Sequence, residues 1–311
     1  LGDVYKRQDQ KLDFLTKGLT WKGLISFDAD MSYIAKRTKT PTQYLATGRD
    51  ENGSLLYKTV VEGSDVLSEN LSNSSSKRIY FETAINYNRT FAEKHDVGAM
   101  FLYMQKETQY HNNALPYRKQ GLVGRVTYGY DGRYFIEGNF GYTGSETFAK
   151  GYRFGFFPSV SAGWQIAQER FMNSTRHWLD GLKLRASYGV IGNQNINPYT
   201  FTPSMSVNNK ATSWIIDDTY VTSISSLPAL VSQNFTWEKV GTINVGLDVN
   251  LFNNRLSGVF EWYQRNTNGM LAPGVQLPAV VGASAPYQNT ADMRTRCLLY
   301  TSPSPRDMRR S

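Results

Sequence analysis

The 311-residue chain offers little from which a catalytic centre could be assembled. Its three histidines, His95, His111 and His177, fall far apart and in different connections, so neither a metal site nor a nucleophile–base pair gathers by spacing. The single cysteine, Cys297, excludes a disulfide scaffold and a cysteine-based zinc cluster. No Gly-x-Ser-x-Gly elbow, phosphate loop, His-Glu-x-x-His or paired Cys-x-x-Cys occurs. Gly138, Gly141 and Gly144 lack dinucleotide spacing and a following helix, and read as strand glycines that ease curvature. Asp50-Glu51-Asn52-Gly53 opens like a calcium loop without that motif's later ligands, and reads as a hairpin tip between Tyr44 and Leu56. No catalytic, cofactor-binding or metal-ligating residue is assigned, and no enzymatic activity is expected.

Binding chemistry is better represented. Tyr110, His111, Asn112 and Asn113, and the stretch around Trp214 and Tyr220, combine aromatic rings with amides and hydroxyls in polar segments. Rings plus a few hydrogen-bonding groups suit a sugar or peptide ligand; the alternative is that these side chains pack loop against loop or against a partner. The formal charge of +8 could suggest nucleic acid. Lys and Arg are scattered over polar strand positions and turns without forming a patch, so no nucleic-acid partner is expected.

The elements that must position these residues are strands. Tyr134, Ile136, Gly138, Phe140 and Tyr142 alternate with Phe135, Glu137, Asn139, Gly141 and Thr143. Leu182, Leu184, Ala186, Tyr188 and Val190 alternate with Lys183, Arg185, Ser187 and Gly189, and residues 79–87 and 243–251 repeat the design. A period of two gives one apolar and one polar face. Short turns near 91–96, 131–132 and 252–254, with a link at 168–181, alternate with long polar segments at 38–69, 110–116, 145–153 and 193–234. No run of about 18 apolar residues exists, which excludes a transmembrane helix. A β-barrel that crosses a membrane with strands stays open, because it too keeps short turns at one end and long loops at the other. The alternative is a soluble all-β domain with aromatic cross-strand pairs. On the barrel reading Ile136, Phe140, Leu184, Tyr188, Val245, Leu247 and Phe260 face lipid. Glu82, Asn139, Arg185, Asn244, Asp248 and Glu261, with Glu137, face the lumen. About ten antiparallel strands in a meander are expected, with helix confined to short pieces such as 174–180.

Three segments carry a family resemblance: residues 115–170, with YDGRY and GFFPSVSAGW; residues 179–195, LDGLKLRASYGVIGNQN; and residues 235–293, with TWEK, NVGLD and NNRLS. They resemble the barrel of SusC/RagA-type TonB-dependent outer-membrane transporters, and weaker similarity extends this over roughly residues 9–296. The resemblance implies an all-β fold: part of a transmembrane antiparallel barrel of about 22 strands, closed by a plug domain encoded upstream. It implies import of oligosaccharides or peptides across the outer membrane of a Gram-negative bacterium. The partners implied are a SusD-like surface lipoprotein, TonB (through an upstream segment) and outer-membrane lipid, with no cofactor. A passive porin or adhesin barrel is the runner-up, and a soluble β-sandwich binding module the third reading.

The ends read differently. Residues 1–8, LGDVYKRQ, resemble the translation of a transposase-type sequencing adapter, and residues 297–307, CLLYTSPSPRD, resemble the same adapter read from the opposite strand. DVYKRQ can be coded GAT GTG TAT AAG AGA CAG, whose reverse complement, shifted by one base, encodes CLLYTS. Residues 1–8 and 297–311 are therefore taken as adapter artefact, and residues 9–296 as the partial barrel domain, expected to begin and end inside a longer gene. The adapter-derived ends are expected to hold no long secondary structure.

Overall fold

The computed structural model describes residues 2–111, 115–205, 207–208, 215–216, 219–220, 224–225 and 228–301. Alternating, β-branched and aromatic sequence builds strands almost throughout. In chain order they are β1 (Gly2–Lys11), β2 (Leu19–Thr40), β3 (Gln43–Arg49), β4 (Leu55–Val61), β5 (Ser64–Phe91) and β6 (His95–Tyr110). There follow β7 (Tyr117–Tyr130), β8 (Tyr134–Ser145), β9 (Phe154–Gln165) and β10 (Leu179–Asn193). Four two-residue strands come next: β11 (Val207–Asn208), β12 (Ile215–Ile216), β13 (Thr219–Tyr220) and β14 (Ile224–Ser225). The last are β15 (Glu238–Leu251), β16 (Leu256–Pro273) and β17 (Tyr287–Thr301). Eleven of them form one open sheet in the order β1-β2-β5-β6-β7-β8-β9-β10-β15-β16-β17, and the rest make two-stranded hairpin or loop ladders. Every neighbouring pair from β7 to β17 is antiparallel. This is the expected meander, an unclosed stretch of antiparallel barrel wall.

Helix among the described residues is confined to 3₁₀ turns at Ile166–Gln168, Arg170–Thr175 and Ala279–Val281. The short helix expected at 174–180 is thus displaced toward the chain start. Thr175 Oγ1 donates to the Met172 carbonyl at 2.8 Å, and Leu179 already enters β10.

The contacts divide the chain into two units, Leu1–Val4, Ser26–Ile79 and Thr108–Pro116 in one, and Tyr5–Ile25, Tyr80–Glu107 and Tyr117–Ser311 in the other. In the first, β3 and β4 pair around the Asp50 turn, whose carboxylate accepts from the Asn52 and Ser54 amides at 3.0 and 2.7 Å. Long β2 and β5 are bridged there by Lys39–Asp65 (2.7 Å) and Arg37–Glu69 (3.7 Å).

In the second unit short turns lie at one end of the strands. Ala92 and Glu93, then Asp131 and Gly132, take positive φ in tight turns closed by Lys94 N–Phe91 O (3.1 Å) and Arg133 N–Tyr130 O (2.9 Å). Left-handed pairs of this kind match the right-handed twist of the strands they join. Phe252, Asn253 and Asn254 also adopt positive φ between β15 and β16. The turn end also carries the longer 166–178 link, and the connections at the opposite end, 146–153, 194–237 and 274–286, are all longer than the tight turns.

The registers sort the side chains into two faces. Tyr134, Trp164, Leu184, Leu247 and Phe260 form one cross-strand row; Ile136, Ala162, Ala186, Val245 and Trp262 form the next on the same face. Glu137, Ser161, Ser187 and Asn244 make a row on the other. The apolar row residues stay open: Ile136 is 55% exposed and Phe260 54%. The chain exposes 22696 Å², against about 13,000 Å² for a compact soluble monomer of its mass. Among the described residues no second sheet covers the apolar face, which argues against the soluble sandwich.

The apolar face is a slanted band. Its turn-side edge runs from Tyr130 and Tyr134 to Leu182, Leu251 and Leu256, two rows lower on β16 than on β7. Its loop-side edge falls from Leu122 and Tyr142 through Val190 and Ile243 to Trp262, three rows over the same strands. With rows about 6.7 Å apart and strands about 4.8 Å apart, the band is inclined to the cross-strand direction by roughly 30–40°. On β7, β10 and β15 it runs over nine residues, 122–130, 182–190 and 243–251.

The ends depart from expectation. Residues 2–8 lie in β1, and β17 continues past Arg296 to Thr301, with Cys297 opposite Tyr263 and Thr301 opposite Val259. Pairing at a sheet edge uses main-chain groups that every non-proline residue carries, and the first proline of this end is Pro303. Secondary structure at the ends therefore does not separate selected sequence from unselected sequence.

Candidate functional site

The polar face of the second unit is wired across strands. Arg185 on β10 reaches Asp248 on β15 through Nε at 3.4 Å and Glu261 on β16 through Nη2 at 3.1 Å. Asn244 donates to the other Glu261 oxygen. Gly246 stands directly opposite Arg185, and a Cβ there would lie 2.6 Å from the guanidinium carbon. The missing side chain is what lets the arginine lie flat across β15. On β7 and β8, Arg125 Nη2 and Asn139 Nδ2 share Glu137 at 2.9 and 2.8 Å. Lys183, opposite Asp248 in register, sits 5.4 Å over the Phe135 ring instead. These rungs border a hollow of about 660 Å³, lined by Asn88, Thr127, Glu137, Ser161, Lys183 and Asn244 among others.

Of the residues expected on the polar face, Asn139, Arg185, Asn244, Asp248 and Glu261 share it by register and contact. Glu82 on β5 accepts from the Tyr80 hydroxyl two residues away and has the parity of Asn88, which lines the hollow. The expected loop residues fall in different units. Tyr110 and His111 belong to the first unit, beside a hollow of about 340 Å³ that Asp30 and Lys77 also line. The His111 amide donates to the Ser75 carbonyl at 2.7 Å. Tyr220 lies in β13, paired with Ile215. Asn112, Asn113 and Trp214 fall outside the described residues.

Two clusters went unnoticed in the sequence. At the loop end Phe148, fully buried, packs against Phe235 and Trp237 with ring centroids 5.8 and 5.2 Å apart, joined by Phe157, Ile196, Phe201 and Leu271. The Trp237 indole donates to the Arg153 carbonyl at 2.9 Å. Beneath it the Tyr117 hydroxyl meets Ser145 Oγ (3.1 Å), Thr147 Oγ1 (3.2 Å) and the Gln194 amide. This core ties the 146–153 loop to both ends of the 194–237 loop. At the turn end Glu169 accepts from the Tyr134 hydroxyl at 2.6 Å and the Trp164 indole at 3.1 Å, with Arg133 Nη1 at 3.4 Å. Those donors hold the Glu169 carboxyl below the usual carboxylate range. Asp131 is likewise lowered, by the hydrogen-bonded Arg133. Tyr134 stacks on Tyr130 and Trp164, and His95 packs on Tyr128 and Tyr130 with Nδ1 2.8 Å from the Tyr128 hydroxyl. Among the described residues no group of three or more His, Cys, Asp or Glu is placed to hold a metal. The arrangement can line a polar passage and present loops.

The family described as "TonB dependent receptor-like, beta-barrel" matches residues 2–296. The TonB-dependent receptor SusC of Bacteroides thetaiotaomicron is 35% identical over 171 residues, covering 55% of this chain and 16% of its own length. The TonB-dependent receptor P3 of Formosa agariphila is 33% identical over 178 residues, 56% of this chain and 17% of its own. This chain thus spans about a sixth of the length of these relatives. In fold it is similar to the solved RagAB peptide transporter, with a TM-score of 0.75 at 22% identity over 96% of this chain and 33% of that one.

Proposed function

This chain belongs to the TonB-dependent receptor β-barrel family, and from that premise we propose that it forms part of the wall and loops of an outer-membrane importer. The cargo is an oligosaccharide or a peptide. A peptide cargo is the one named for the RagAB peptide transporter, whose fold this chain shares, and an oligosaccharide cargo is what the sequence resemblance implies. The partners are a SusD-like surface lipoprotein, lipid, and TonB through a segment upstream of this stretch. The observation that carries the reading is the slanted apolar band. Nine residues suit a strand crossing a bilayer, and strands of outer-membrane barrels tilt by about 35–45°. The opposite face, with its Arg185 and Glu137 networks, then faces the lumen. Tyr110, His111, Asn112, Asn113, Trp214 and Tyr220 are the candidates for ligand contact. The wall does no covalent chemistry.

The test is uptake of fluorescent oligosaccharides and oligopeptides by cells carrying or lacking the full-length gene. Import that needs the gene and stops with a protonophore supports the proposal. Gene-dependent uptake indifferent to the protonophore would make the protein a passive porin, and gene-independent uptake of both cargo classes would remove the transport reading.

A further inference from the structure

The outward face turns polar beyond the loop-side edge of the band. On β15–β17, just past the loop-side edge of the band, the same face carries Lys239, Gln264, Asn266, Asn268, Arg294 and Arg296. Gln264 stands directly across from Ile243 and one row beyond Trp262, so these residues continue the outward face and do not belong to the polar one. Lys239, Arg294 and Arg296 are exposed. Arg294 Nε donates to Asn266 Oδ1 at 3.1 Å and Arg296 Nε to Gln264 Oε1 at 2.8 Å. Each amide oxygen thus fixes a guanidinium through its inner nitrogen and leaves both outer nitrogens free to donate. Among the described residues none of the three cations forms an ion pair, and the nearest carboxylate on this face, Asp292, accepts from the Gly269 amide at 2.8 Å.

A cation on a lipid-facing barrel surface is strongly disfavoured at the bilayer midplane and nearly tolerated at the interface. Three unpaired cations beyond the margin of the band therefore belong at headgroup level. We propose that Lys239, Arg294 and Arg296 form a binding site for the phosphate of an outer-leaflet lipid, the two arginines donating in pairs to phosphate oxygens and Lys239 adding charge from two strands away. Charge complementarity selects this occupant: with three cations against the single carboxylate of Asp292, which accepts from the Gly269 amide, the patch is net positive, rich in donors, and bordered by apolar surface on the side where acyl chains would lie. The site rests on the membrane reading given above.

The experiment compares the full-length protein with K239Q/R294Q/R296Q in phosphatidylcholine nanodiscs doped with bis-phosphorylated lipid A, counting retained lipid A by native mass spectrometry. The expected result is about tenfold less retention by the variant, no difference between the two proteins with dephosphorylated lipid A, and no displacement by millimolar inorganic phosphate. Equal retention of phosphorylated lipid A by both proteins would overturn the site while leaving the barrel reading intact. Displacement by inorganic phosphate would make it a small-anion site and not a lipid site. Failure of the wild-type protein to enter phosphatidylcholine nanodiscs at all would overturn the membrane reading, and the site with it.

Discussion

Replacing Phe148 with alanine should free the two large loops without loosening the wall. Phe148 is fully buried, and its ring is the common neighbour of Phe235 and Trp237. Truncating a buried phenylalanine typically costs about 3–5 kcal/mol. Phe148, Phe235 and Trp237 lie outside β8, β10 and β15, so the β10–β15 ladder does not depend on them. The loss therefore appears as local opening and not as global unfolding. Taking the lower figure, amides held by the cluster should exchange about 10²-fold faster in F148A than in the parent. The informative ones are Ser145 (to the Arg153 carbonyl, 3.1 Å), Tyr152 (to the Ala149 carbonyl, 3.0 Å) and Thr236 (to Asn289 Oδ1, 2.8 Å). Amides of Arg185, Val245 and Leu247 within the β10–β15 ladder should not change. Hydrogen exchange on the full-length protein in detergent reads both sets. Unchanged protection at Tyr152 and Thr236 would refute the claim that Phe148 fastens the loops, and equal acceleration in the ladder would refute its independence from the wall.

Three further outcomes are expected. Because the folded Glu169 carboxyl lies below its ordinary value, its contribution is complete above the unfolded value and fades as pH falls through the folded one. The protection of the Gln165 amide, bonded to Arg133 O at 2.7 Å, measured relative to its intrinsic exchange rate at each pH, should therefore fall on acidification below about pH 4.5, and E169Q should flatten that fall; an unchanged slope in E169Q would contradict it. R185A leaves Asp248 and Glu261 facing each other and should cost about 1–2 kcal/mol, the side chains being a third exposed or less. R185A/D248N/E261Q should recover most of that in urea unfolding, and a triple variant no more stable than R185A would show that charge is not the reason. Long-read sequencing of the source gene should give other residues in place of 1–8 and 297–311, and finding them encoded in the genome would end the adapter attribution.

The period of two was legible because each face of the wall meets one uniform medium, so every second residue is constrained alike along a strand. That is why Ile136, Leu184 and Phe260 could be grouped from sequence with no register known, and why Asn139 and Arg185 fell opposite them. Pairing partners were not legible. Arg185 meets Asp248 and Glu261 across 63 and 76 residues, a separation with no local signal, and Gly246 shows its purpose only when the register sets it under the guanidinium. Phe148 looked like any loop aromatic, since burial at a strand end comes from three distant segments closing over it. Arg294 and Arg296 escaped notice because their face depends on the register of β17 against β16.

The slant of the apolar band is stronger evidence about environment than its composition. An amphipathic sheet covering a protein core would keep its apolar positions opposite one another, since the covering layer follows the sheet's own twist. Here both edges of the band move in the same direction, by two rows on the turn side and three on the loop side, and the one register shift in the β7–β16 ladders lies between Leu179 and Gly181 at the turn-side margin of β10. The apolar boundary therefore follows a line set outside the sheet. A planar slab about nine tilted residues thick supplies such a line. The polar residues that interrupt the face on β16 and β17 fall on the far side of that line, and none lies within it.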